Sequence, residues 1–103
     1  MPGKSIWMVS WPDEIQEDLK FFEKWERRFL VIETAARLSE DPTPETRNLK
    51  SLRPNSLAQK ELRIRGKYRV LFDVDAEDKR VIIKAVGIKE GSTLLIRGRE
   101  YQL

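Results

Sequence analysis

The alternation of apolar and polar positions divides the chain into three stretches. Residues 5–11, "SIWMVSW", are rich in β-branched and aromatic side chains and predict a first strand. Pro12, Asp13 and Glu14 then open a helical stretch, because proline suits a first turn and acids suit the positive end of the helix dipole. Ile15, Leu19, Phe22, Phe29, Ile32 and Ala36 follow at helical spacing. No glycine or proline interrupts residues 13–40, yet one helix of that length would run about 42 Å. A domain of this size has a radius of gyration of about 13 Å. Two antiparallel helices with a break near residues 22–26 are therefore expected.

Residues 41–55, "DPTPETRNLKSLRPN", carry three prolines and end the helical region. Thr43, Pro44 and Glu45 predict one short helical turn with Leu49 and Leu52 as anchors. On such a turn Arg47, Lys50 and Arg53 would lie along one side. Alternation then returns. "ELRI", "YRVLFDVD" and "RVIIKAVG" within residues 60–87 predict the rest of the sheet, and "STLLIRGREYQL" a short strand around Leu94–Ile96.

The segment "ELRIRGKYRVLFD" (61–73) fixes its own register. A two-residue loop would mix charged and apolar residues on both faces. A three-residue loop, Arg65-Gly66-Lys67, pairs Ile64 with Tyr68 and Leu62 with Val70, which with Phe72 and Val74 make one apolar face. The same register sets Arg63 opposite Arg69 on the other face. Like charges directly opposite destabilise a sheet by up to about 1 kcal/mol. Either Glu61, diagonal to Arg69, neutralises the arginines as an ordinary ion pair, or they await phosphate, which a guanidinium binds bidentately.

Charge changes the picture. The chain carries a net charge of +3, but residues 47–69 hold eight basic side chains and one acid, hence +7, leaving the other 80 residues at −4. A concentrated basic block on a slightly acidic body is the footprint of a polyanion-binding surface. It favours phosphate as the arginines' partner, with Arg47, Lys50, Arg53, Lys60, Arg65 and Lys67 as candidate RNA or phosphate contacts. At 103 residues the chain is expected to form a single domain spanning 1–103.

Other chemistries are poorly supported. No stretch has the roughly 20 apolar residues of a membrane span, and "MPGKSIWMVSW" has no apolar run long enough for a signal peptide. The absence of cysteine excludes disulfides and thiolate sites and is compatible with a cytoplasmic protein; the absence of histidine removes the commonest general base and metal ligand. Asp73, Asp75, Glu77 and Asp78 flank an ordinary polar turn, so no metal and no cofactor is expected. Gly87, Gly91 and Gly98 form no recognised phosphate loop, and Trp7, Trp11 and Trp25 are expected to fill core.

The order of elements, together with "LKSLR", "ELRIRGKYRVLFDVD" and "RVIIKAVGIKE", resembles the RelE/ParE superfamily of bacterial type II toxin–antitoxin modules over about residues 5–91. The resemblance implies an α+β fold: a small, mostly antiparallel sheet with two N-terminal helices packed on one face. In the RelE branch it implies a ribosome-dependent mRNA endoribonuclease toxin, neutralised by a cognate antitoxin. Such enzymes need no metal, since the ribose 2′-hydroxyl attacks the neighbouring phosphate while basic side chains stabilise the developing charge. Arg69 matches the family's arginine in "KYRVLF", Arg63 and Arg65 match basic positions on the preceding strand, and Lys89 matches the basic position after "VG". Leu94 and Leu95 stand where the nuclease members carry tyrosine, so Tyr101 is the candidate to supply it from further along. Glu61 stands where the best-known nucleases carry another basic residue. Both departures favour the alternatives: a ParE-like inhibitor of DNA gyrase, or a catalytically degenerate member acting as a binding module.

Overall fold

The structure is a computed structural model that describes residues 6–102. Strand β1 (Met8–Ser10) leads into helices α1 (Ile15–Leu19) and α2 (Lys24–Leu38), and six further strands follow. These are β2 (Leu49–Ser51), β3 (Lys60–Ile64), β4 (Tyr68–Asp75), β5 (Arg80–Glu90), β6 (Thr93–Ile96) and β7 (Arg99–Tyr101). They form one sheet in the order β2-β3-β4-β5-β6-β7, antiparallel throughout, with β1 added parallel to the first residues of β5. The expected first strand is thus shorter than 5–11, and Ser5 lies outside the described residues.

The helical stretch breaks at residues 20–23. Glu23 is extended (φ −61°, ψ 155°), and its N–H donates to Glu26 Oε1 at 2.9 Å, so Glu26 caps the start of α2. The buried stripe of α2 is Leu30, Thr34 and Leu38. Ile32 and Ala36, expected inside from their spacing, are exposed, and so is Trp25. At 100° per residue, Trp25 and Ile32 lie 140° and 160° from Leu30, on the far side of the helix. Trp7 is buried as expected, and Trp11 packs against the core from its edge.

The core lies between the helices and one face of the sheet. Ile15, Leu19, Phe22, Leu30 and Leu38 pack against Leu62, Ile64, Tyr68, Val70, Phe72, Val81, Ile83 and Val86. The hairpin register is the expected one: Ile64 opposite Tyr68, Leu62 opposite Val70, Arg63 opposite Arg69. Arg65 and Gly66 both take left-handed φ values (54° and 72°), the pair of conformations a type I′ turn requires, and the Lys67 N–H donates to Ile64 O at 3.3 Å.

The opposite face carries a smaller apolar cluster, in which Leu71, Ala85, Leu94 and Ile96 are covered by Leu52, Leu57 and Ala58 from the 52–59 loop. No helix turn forms at Thr43–Glu45. Thr46 instead bridges to Leu49, and the chain enters β2, because Leu49–Ser51 can pair with β3. Among the described residues no helix is long and apolar enough to cross a membrane, and no group of His, Cys, Asp or Glu is placed to hold a metal ion.

Candidate nucleic-acid cleavage site

Side chains of antiparallel Cα partners share a face, so the register alone gathers the site. Glu61 and Arg63 on β3, Arg69 on β4, and Gly87 and Lys89 on β5 all lie on the helix-free face, since Arg63 pairs with Arg69 and Arg69 with Gly87. Lys89 pairs with Leu94, and Leu94 with Tyr101 across β6. Tyr101, sixteen or more residues beyond the hairpin in sequence terms, thus returns to the same face.

A cleft of about 360 Å³ opens there, lined by Glu61, Arg63, Lys89, Ser92, Tyr101 and Gln102 with Leu52 and Leu94. It brings together three of the four residues expected to be catalytic. The fourth, Arg69, lies beneath it, buried to 7% exposure. Its Nη1 donates to Gly66 O and Tyr68 O, both at 3.1 Å, so it also braces the hairpin turn. Its Nε has no hydrogen-bond partner and faces Glu61 Oε2 at 3.9 Å. Burial pushes the Arg69 guanidinium below its ordinary value; Glu61 opposes that push and the like charge of Arg63 adds to it.

One carboxylate therefore answers both arginines. Arg63 Nε donates to Glu61 Oε2 at 2.7 Å, and the same oxygen is the one nearest Arg69. Arg63 is nevertheless half-exposed, and among the described residues its two Nη groups have no partner. With Lys89 in the wall, three cations surround a single anion. The arrangement offers donors for a phosphate at the cleft surface and one carboxylate able to accept a proton beside it.

The remaining basic candidates divide. Lys50 lies opposite Glu61 and shares its face, and Arg53 lines the cavity next to the cleft. Arg47 is exposed in the 46–49 turn. Lys60 points to the other face and is buried, with its Nζ donating to Thr43 O (3.3 Å) and Ser51 Oγ (3.2 Å) and 3.7 Å from Glu45 Oε2. It ties down the Pro-rich segment. Arg65 and Lys67 turn toward the helix side, the Arg65 guanidinium 4.8 Å from the Phe29 ring centre and Lys67 Nζ 5.1 Å from that of Tyr68. The cleft residues Ser92 and Gln102 gave no signal in the sequence, since only the β5–β6–β7 pairing brings them in.

No family model matches the chain, and no curated protein matches it. Among solved structures it superposes on the RelE2 toxin in the crystal structure of the RelBE2 toxin–antitoxin complex from Mycobacterium tuberculosis, with a TM-score of 0.70 and 25% sequence identity. The match covers 86% of this chain and 98% of that chain. The two helices and the mostly antiparallel seven-strand sheet are those of an α+β RelE-like fold.

Proposed function

We propose that this RelE-like chain is the toxin of a toxin–antitoxin module and cleaves mRNA on the ribosome without a metal. The observation that supports this best is the cleft on the helix-free face, which draws Glu61, Arg63, Lys89 and Tyr101 from three separated segments. In this reading the scissile phosphate binds the free Nη groups of Arg63, with Lys89 adding charge at its rim. Phosphate competes with Glu61 for the Arg63 guanidinium, which frees the carboxylate to take the proton from the 2′-hydroxyl. That oxygen then attacks phosphorus, and the 5′-oxygen leaves with a proton from Tyr101 or Lys89. Arg69 supplies positive potential from below. A cognate antitoxin neutralises the toxin by covering this basic face.

The test maps message ends after incubation with programmed ribosomes. Wild-type protein is expected to cut inside the decoding codon. Arg63→Ala is expected to cut about 100–1,000-fold more slowly while remaining folded, because Arg63 is half-exposed. Arg69→Ala is a poorer probe, since it also removes two braces of the turn. Intact message with wild-type protein would overturn the reading. One observation favours the competing binding-module and gyrase-inhibitor readings: Glu61 already neutralises the arginines with no substrate present. Toxicity unchanged in Arg63→Ala would select them, and a supercoiling assay would separate the two.

A further inference from the structure

A second cavity, of about 390 Å³, lies on the other side of the 52–59 loop from the cleft, and Leu52 lines both. Its walls include Leu52, Pro54 and Leu57 on the loop, with Arg53, Asp73 and Lys84 presenting charge. We propose that it is a nucleobase subsite that takes guanine from the RNA strand held in the cleft. The proposal rests on reading the cleft as an RNA-cleaving site.

Three observations carry it. The first is the bulge in β5. Leu71 pairs with Ala85 and Phe72 with Ile83, which leaves Lys84 as an extra residue. Bulges re-aim side chains and are enriched beside active sites. Here the bulge delivers Lys84 to the cavity, where it has no partner among the described residues.

The second is the rigidity of the loop. Asn55 Oδ1 accepts from the N–H groups of Leu57 (2.7 Å) and Ala58 (3.0 Å), and its Nδ2 donates to Arg53 O (2.7 Å) and Ala58 O (3.0 Å). The Gln59 side chain accepts from the Val74 N–H at 2.9 Å, and its N–H donates to Asp73 Oδ1 at 2.8 Å. A wall held this way loses little freedom on binding.

The third is the pairing of Asp73 with Lys84. The second carboxylate oxygen of Asp73 has no partner among the described residues, and Arg53 likewise has no side-chain partner there. A carboxylate only accepts and an ammonium only donates. Guanine presents two adjacent donors, N1–H and N2–H, to the first and the acceptors O6 and N7 to the second. Uracil lacks the paired donors. Leu52, Pro54 and Leu57 offer an apolar wall for the ring, as single-stranded RNA recognition requires for an unstacked base. Asp73 lies four residues beyond Arg69 along β4, about 13 Å at strand rise, a short step along an RNA strand.

The full chain, titrated with GMP and separately with UMP, should be followed by amide NMR; the shared phosphate makes the difference report the base. GMP-selective shifts are expected at Leu57, Asp73 and Lys84. Asp73→Asn keeps an acceptor for the Gln59 N–H but breaks the acceptor-only edge, and should lower the GMP preference at least about fivefold. Equal responses to GMP and UMP, or shifts confined to Arg63 and Lys89, would overturn the subsite. Message mapping separates the two claims. Cleavage without guanine selectivity removes the subsite alone, whereas guanine selectivity with intact message leaves the subsite standing and removes the nuclease reading.

Discussion

At the scale of single residues, the site is a competition for one carboxylate. Glu61 lies between two guanidinium groups on neighbouring strands, one hydrogen-bonded at 2.7 Å and one at 3.9 Å. Its burial makes that competition consequential, since ion pairs removed from water depend strongly on keeping both partners. A second buried contact titrates in an accessible range. Tyr68 OH donates to Glu26 Oε2 at 2.6 Å, beneath the hairpin and against α2. Burial, and then the bond to Glu26, push the Tyr68 hydroxyl up to about 12, while the same bond holds the Glu26 carboxyl below its ordinary value. The folded protein therefore keeps the tyrosine proton longer than the unfolded chain does, so stability should fall as pH rises from 10 towards 12. The depressed Glu26 carboxyl adds stability above its unfolded value that is lost as pH falls through the folded one. Tyr68→Phe should cost about 1–2 kcal/mol near neutral pH and flatten the alkaline slope, measured by urea unfolding across pH.

The residues of the site were legible to different degrees for physical reasons. Arg63 and Arg69 were placed by period-two alternation alone, because only one hairpin register buries Leu62, Ile64, Tyr68 and Val70 together. Lys60, Arg65 and Lys67 share the same basic run, yet they face the helix side, where a buried amine bond and two aromatic rings hold them. Charge density in a sequence does not carry sidedness; register does.

Elements show the same division. The helix break was legible from length, and Glu23 with Glu26 supplies its local cause. The turn at Thr43–Glu45 was misread because a proline-flanked acid resembles a helix start, while the competing attraction, pairing of β2 with β3, comes from residues a dozen positions further on. Strand β5 is the central element: it pairs with β1 at its start, β4 along most of its length and β6 at its end. Where β6 meets it, Gly87 is required by space. A Cβ there would lie 2.3 Å from the Leu95 carbonyl oxygen and 3.0 Å from Ile96 Cγ1. Gly87→Ala should destabilise the protein by about 1–3 kcal/mol and shift Lys89 relative to the cleft. Thermal unfolding beside a cleavage assay would detect both.

For the whole molecule, charge placement is the main functional variable. The chain has a net charge of +3, but its helix-free face concentrates Lys50, Arg53, Arg63, Lys84 and Lys89 around the cleft and the adjoining cavity. Affinity for a short single-stranded RNA should therefore fall with salt. If three phosphates are neutralised, the slope of log K against log salt is about −2, and Lys89→Ala should reduce it by about 0.7. Fluorescence anisotropy across a salt series would measure both. The sheet order also sets when the activity can arise. Arg63 and Arg69 are translated before β5, and the row that joins Lys89 to Tyr101 needs β6 and β7 as well. A chain still being synthesised thus carries its arginines with no cleft to use them in. The ribosome making the protein is spared until almost all of the described chain has emerged, and that interval is available for a partner to bind first.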